Sequence, residues 1–317
     1  MDNLDIIIVD KNPRLAVNGF VCDIKRYIRS NFLHYGGPQS VVDSLLSGLD
    51  EVGANYKYNP IPSEINKDSI VCVLSNIKAL RWGLQAKDRK QISRLIAGPN
   101  LFATPKDYDC GAADKRIDAL IFPSQWVVDL FVHHIPDIKN KTFVWASGVD
   151  HNYKLEENLE KRAILIYKKK CPAIIFDCVC KELERRGLKF EVIYYGNYRR
   201  NNYLSKLMST KFMIFLQESE TQGLAQFEAW ASGVPTLVWN RGLWEFKGMS
   251  WRDKKISSPY LSEEQCGIFF SGCDDFSAKL TEFIGKIATY SPREFIDNNF
   301  SNKRCAQKFL EIASKIN

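Results

Sequence analysis

Met213–Trp239 reads MIFLQESETQGLAQFEAWASGVPTLVW. The apolar run Phe212–Leu216 predicts a buried strand. A polar loop follows, then a helix over Leu224–Ala231 and a second buried strand after Gly233-Val234-Pro235. A strand ending in a loop that opens a helix presents unpaired backbone N–H groups, and the positive end of the helix dipole, at the carboxyl edge of a sheet. Such an edge binds phosphate, and Gly223 at the junction lets an anion approach the backbone. Two carboxylates accompany it: Glu220 on the loop, and Glu228 about one and a half turns inside the helix. A carboxylate accepts hydrogen bonds from vicinal hydroxyls, such as those of a sugar or a ribose. Taken singly, each Glu also reads as an ordinary solvated charge.

The string as a whole resembles the donor-binding signature of the group 1 (family four-like) retaining glycosyltransferases of the GT-B fold. The residues that carry the likeness are Glu220, Gly223-Leu224, Glu228-Ala229 and Ala231-Ser232-Gly233-Val234-Pro235. The resemblance implies two Rossmann-like parallel-sheet domains facing a cleft, with a C-terminal helix crossing back to the first domain.

Bulk properties fit that frame. At 317 residues the chain has room for two α/β domains of roughly 150 residues each. No apolar run approaches the roughly 18 residues that span a bilayer, and no signal peptide is recognised, since Met1 is followed by Asp2 and Asp5. These features give the expectation of a cytoplasmic protein. The nine cysteines show no framework spacing, which fits reduced thiols, and the four histidines lack zinc-ligand spacing. The formal charge of +7 is concentrated after residue 150, where the net is +6. That balance fits a phosphate-bearing partner. No basic run is interleaved with aromatics, so nucleic acid is not expected as a partner.

The first domain is expected over 1–150. Leu4–Val9 is a buried strand. Asn12–Leu33 repeats apolar residues near helical spacing beside Lys25, Arg26 and Arg29. It reads either as a packed amphipathic helix or as a peripheral contact with the inner face of a membrane. Tyr35-Gly36-Gly37-Pro38-Gln39 opens a helix over Ser40–Glu51. The family places a Gly-Gly loop after the first strand, where acceptor and donor approach the backbone, so Gly36 and Gly37 are acceptor-side candidates; a plain turn is the alternative. Further strands are expected at Ala54–Tyr58, Ser69–Leu74, Leu95–Ala97 and Ala119–Phe122. Asn100 follows one of them, at the ligand-binding edge of a parallel sheet, and is a further candidate. Pro123-Ser124-Gln125-Trp126, a helix, the strand Thr142–Trp145 and the turn Ser147-Gly148-Val149-Asp150 again resemble the family.

The second domain is expected over 151–290, after a polar linker at His151–Lys161. A strand over Ala163–Tyr167 leads straight into Lys168-Lys169-Lys170 and a helix near Pro172. Cations at a strand's carboxyl end beside a helix N-terminus suit a diphosphate, though a solvated charge run has the same spelling. The family uses an Arg and a Lys at this place. Gly196-Asn197 turn after the strand Phe190–Tyr195, where relatives meet the nucleotide base. A final helix over Pro292–Ile316 lies in a third segment, 291–317, expected to pack back on the first domain.

The resemblance therefore implies transfer of a sugar from a nucleotide diphosphate donor to a glycan, lipid-linked or other acceptor, with retention and without metal or other cofactor. Lys168 and Lys170, with the N–H groups at Gly223 and Leu224, would stabilise the leaving diphosphate. Glu228 would hold the ribose and Glu220 the donor sugar. Asp107-Tyr108-Asp109 spells a metal motif, but in the wrong half for donor phosphate. The alternatives are another GT-B activity, such as a nucleotide-sugar epimerase or a phosphorylase, and a non-catalytic nucleotide-sugar-binding protein.

Overall fold

The structure, a computed structural model, describes residues 4–11, 37–149 and 163–316. The Asn12–Leu33 segment, Gly36 and the linker at His151–Lys161 lie outside the described residues. The chain divides into two compact units, one of residues 1–148 with 302–317 and one of residues 149–301.

In the first unit, short runs, apolar throughout at β1, β3 and β5, form the parallel strands β1 (Ile6–Val9), β2 (Tyr56–Tyr58), β3 (Ile70–Val73), β4 (Arg94–Ala97), β5 (Ala119–Phe122) and β6 (Thr142–Val144). Helices α1 (Gly37–Glu51), α2 (Ile77–Asp88) and α3 (Gln125–His134) alternate with them. The sheet order is β2-β1-β3-β4-β5-β6. Strands β1, β3 and β5 are buried at every position, as a sheet covered on both faces requires. Growth runs outward from β1 in both directions, and right-handed crossovers then place helices on opposite faces.

The second unit repeats the plan with β7 (Ala163–Lys170), α4 (Ala173–Arg185), β8 (Phe190–Tyr194), α5 (Arg200–Met208), β9 (Thr210–Gln217), α6 (Leu224–Ala231) and β10 (Thr236–Trp239). An antiparallel hairpin of β11 (Leu243–Phe246) and β12 (Met249–Arg252) follows, then β13 (Gly267–Phe270), α7 (Cys273–Lys286) and α8 (Pro292–Asn299). The five parallel strands are ordered β13-β10-β9-β7-β8. Direction reverses between β7 and β9, so the crevice at their carboxyl ends is the topological switch point, where open α/β sheets bind ligands. The fully buried residues Ile166, Phe212, Ile214, Leu237, Phe276 and Phe283 belong to one apolar cluster beneath it.

Two expectations are corrected. Strand β7 continues through Lys170, because its pairing with β9 extends to Lys170–Gln217 past an irregularity after Lys168. The lysines are thus part of the strand rather than a loop beyond it. The last helix is also two helices, α8 and a terminal helix over Asn302–Ser314. The break falls in Asn299-Phe300-Ser301, where Ser301 bridges to Val149 and the Phe300 ring packs 4.7 Å from Phe227 and 4.8 Å from Tyr260. Helix α8 stays with the second unit, and the return to the first begins at Asn302.

The terminal helix docks on α1 at very close range. Trp145 donates its indole N–H to the Cys305 carbonyl at 2.8 Å and meets Phe309 edge-on. A Cβ at Gly48 would stand 2.1 Å from the Asn302 carbonyl oxygen. Gly48→Ala is therefore expected to destabilise the first unit by about 1–3 kcal/mol, the usual cost of overpacking. Urea denaturation with a lowered midpoint and an unchanged slope checks it; an unchanged midpoint would mean that the terminal helix is not seated there.

Candidate functional site

Strand pairing builds the site in the second unit. Because β7 lies beside β9, the strand end Lys168–Lys170 lies next to Gln217 and the loop residues that follow it at the carboxyl edge of the sheet. Glu218 donates its backbone N–H to the Lys170 carbonyl at 2.9 Å. Its carboxylate lies 2.6 Å from the Lys170 ammonium and 3.9 Å from the Arg241 guanidinium. Glu220, with 13% of its side chain exposed, accepts from the Lys169 ammonium at 3.0 Å. The alternation of a strand sends the adjacent lysine elsewhere: Lys168 has its ammonium 3.8 Å from the centre of the Phe176 ring, with Tyr194 at 5.7 Å.

The loop between β9 and α6 is held from behind by the chain that follows the hairpin. Glu220 donates its backbone N–H to the Ile256 carbonyl, and the Ser257 hydroxyl donates to the Glu218 carbonyl at 3.2 Å. The Ser258 hydroxyl donates to the Gln226 side-chain carbonyl at 2.8 Å. Gly223 is the residue before α6 and adopts φ 93°, the left-handed region, with no side chain capping the helix. The first-turn N–H groups of α6 therefore point at the carboxyl edge of the sheet without intrahelical acceptors. A neutral Gln rather than a carboxylate supplies the nearby side chain, so the helix end keeps its positive potential.

Glu228 sits on α6 with 13% of its side chain exposed, and its Oε1 accepts from the Arg200 Nε at 2.6 Å. Burial pushes its carboxyl above the ordinary range, and the Arg200 charge and hydrogen bond pull it back down. Beside it lies a stack of rings. Tyr167 lies parallel to Phe215 at 4.9 Å and its hydroxyl meets that of Tyr198 at 2.9 Å. Tyr198 itself is pushed up to about 12, chiefly by burial.

Each sequence candidate among the described residues has a definite place. Glu220, Gly223, Leu224 and Lys170 gather at the β7/β9 edge, with Glu228 inside α6. Gly196 and Asn197 form the turn after β8, where Asn197 N–H donates to the Tyr194 carbonyl. Gly37 begins α1, and Asn100 follows β4 in the first unit, donating its N–H to the Leu74 carbonyl. Asp107 is committed to structure, since it accepts from the N–H groups of Ala103 and Thr104 and from the Thr104 hydroxyl. Sequence reasoning placed Lys169 in the lysine run but gave the role to Lys168 and Lys170, and it passed over Glu218, Arg200 and Arg241. A signal for Lys169 and Glu218 was present in the alternation of a longer strand and in the Glu-x-Glu spelling; the two arginines depend on packing that spacing does not report. No group of three or more His, Cys, Asp or Glu side chains suited to a metal occurs among the described residues, and none of their helices is long and apolar enough to cross a membrane.

No protein-family model matches the chain, and no curated protein matches it in sequence. Solved structures do match. The fold is that of the GT-B glycosyltransferases. The lipopolysaccharide outer core galactosyltransferase WaaB superposes with TM-score 0.59 at 12% identity, over 98% of this chain and 99% of that one. The Anabaena protein HepE, in complex with UDP and glucose, gives 0.57 at 13% identity over 98% and 100% of the two chains. WaaG, a glycosyltransferase involved in lipopolysaccharide biosynthesis, gives 0.53 at 11% identity over 98% and 99%.

Gly223→Ala tests the local geometry. A Cβ there would meet the Gln226 Oε1 at 2.7 Å and would need a left-handed backbone, which costs an L-residue about 1–2 kcal/mol. The melting temperature should fall. A melt equal to that of the parent protein would mean that the loop does not hold this conformation.

Proposed function

We propose that the chain is a glycosyltransferase whose second unit binds a nucleoside-diphosphate sugar, and that it transfers the sugar with retention to a glycan or lipid-linked acceptor without a metal. The observation that carries the reading is the gathering of Lys169, Lys170, Glu220 and the uncapped start of α6 at the switch point of the second sheet. The GT-B fold of the neighbours, and the UDP and glucose held by HepE, support the same choice.

The chemistry follows from charge. Breaking the bond between the anomeric carbon and the diphosphate leaves negative charge on the phosphate oxygens. Preorganised ammonium groups and helix N–H groups stabilise that charge in the transition state more than in the ground state. Lys169, Lys170 and the N–H groups at Gly223-Leu224 take this role. Glu220 holds Lys169 and Glu218 holds Lys170, which preorganises the cations for a diphosphate. Lys168 contributes at longer range from its seat on Phe176. Glu220 accepts from donor-sugar hydroxyls, Glu228 from the ribose diol, and the Gly196-Asn197 turn faces the base. Gly36, Gly37 and Asn100 are assigned to the acceptor side.

The test is a thermal-shift panel of UDP, GDP, ADP and CMP with the full chain, followed by release of nucleoside diphosphate from the matching sugar donors over a set of glycan acceptors. One diphosphate should raise the melting temperature by mass action; no shift with any of them would overturn the reading. Lys169→Ala and Lys170→Ala should each weaken that binding by about 1.5–3 kcal/mol, the value of a charge-assisted hydrogen bond, and Lys168→Ala by less. Since protein cations do the work, EDTA should leave nucleotide affinity and transfer unchanged. Loss in EDTA with recovery in Mg²⁺ or Mn²⁺ would remove the metal-independent mechanism.

A further inference from the structure

Helices α5 and α6 are joined by two contacts in opposite order. The Tyr203 hydroxyl donates to the Ala225 carbonyl at 2.6 Å, and Arg200 reaches Glu228 at 2.6 Å. The residues lie three apart on each helix, so each helix presents both groups on one face. Tyr203 is fully buried, with its ring 5.8 Å from that of Tyr167 and 5.4 Å from that of Tyr198. The rung it makes therefore fixes how the two helices pass, and Arg200 is delivered one turn away with little freedom to miss its partner.

The guanidinium takes only one side of the carboxylate. Arg200 donates through Nε to Oε1, and no hydrogen bond reaches Oε2 among the described residues. An isolated carboxylate this deep would favour its neutral form, in which one oxygen becomes a donor and cannot accept from both hydroxyls of a diol. An arginine cannot lose its proton, so it supplies a permanent counter-charge.

We propose that Arg200 is a positioning residue for the nucleotide: it holds one oxygen of Glu228 and turns the other toward the vicinal hydroxyls of the ribose. This rests on the reading of the second unit as a nucleotide site. Arg200 is assigned no contact with the diphosphate or the base, only the Glu228 carboxylate. Its loss therefore removes the preference for an intact ribose and leaves the rest of the binding energy in place.

The experiment compares binding of each nucleoside diphosphate with that of its 2′,3′-dideoxy form, for UDP, GDP and ADP, by titration of the full chain. The wild type should prefer the intact ribose by about tenfold or more, as expected for hydrogen bonds to a charged group. In Arg200→Gln that preference should collapse while affinity for the dideoxy form stays close to wild type. Arg200→Lys, which keeps a cation, should restore most of it, a rescue that a purely structural role would not produce. Retention of full discrimination in Arg200→Gln, or equal loss of both ligand forms, would overturn the proposal and leave the Glu228 reading intact. Failure of a folded Arg200→Lys to discriminate would overturn it as well. A wild type that binds diphosphates without regard to the ribose would instead sink the role given to Glu228, and the inference with it.

Discussion

The parallel pairing of β7 with β9 decides where charge can stand in the second unit. Apolar contact drives it: Ile164, Leu165, Ile166 and Tyr167 pair with Phe212, Met213, Ile214 and Phe215, all nearly inaccessible to water. That register carries the strands outward until polar residues emerge together, three lysines on one strand and two glutamates beyond the other. The ion pairs there are a consequence of the register rather than its cause. Only the Lys170 end of these pairs is well exposed, and there the pairing adds little to stability.

The same register explains why neighbouring side chains with one chemistry have different surroundings. Lys169 is seated against Glu220 and over the Tyr195 ring at 4.6 Å, whereas Lys168 faces α4. Successive residues of a strand project to opposite sides. A run of identical residues is therefore divided by geometry into members with separate tasks.

Much of the architecture was legible in the sequence because it follows from local periodicity. The runs Ile6–Val9 and Ala119–Phe122 are apolar throughout and Leu237, Val238 and Trp239 continue the pattern, which marks strands covered on both faces, and Gly233-Val234-Pro235 marks the turn between α6 and β10. The Glu220–Glu228 spacing led to the carboxylates. What could not be read depends on contacts remote in the chain. The extension of β7 into the lysines requires β9 as partner, and the Arg200–Glu228 contact requires two helices to be docked. The break before Asn302 requires Phe300 to be drawn into the rings of Phe227 and Tyr260. The hairpin β11–β12 was hidden for another reason. Its Trp244–Trp251 pair mixes apolar and charged neighbours without a clear alternation, so the period of a strand does not show there.

The first unit is assembled from two separated pieces of chain, and the second from one continuous piece. On a ribosome the consequence is an order of events. Residues 149–301 can close their sheet as they emerge, while α1 and Trp145 wait for Asn302, Cys305 and Phe309, which follow them. Until then the apolar side of α1 that will receive the terminal helix remains uncovered. The cost of bringing the two pieces together grows only logarithmically with the length between them, and a second unit already compact shortens the span that must be closed. The nascent chain thus completes its first unit by means of a helix made after the second, so a stall before Asn302 leaves that unit unfinished.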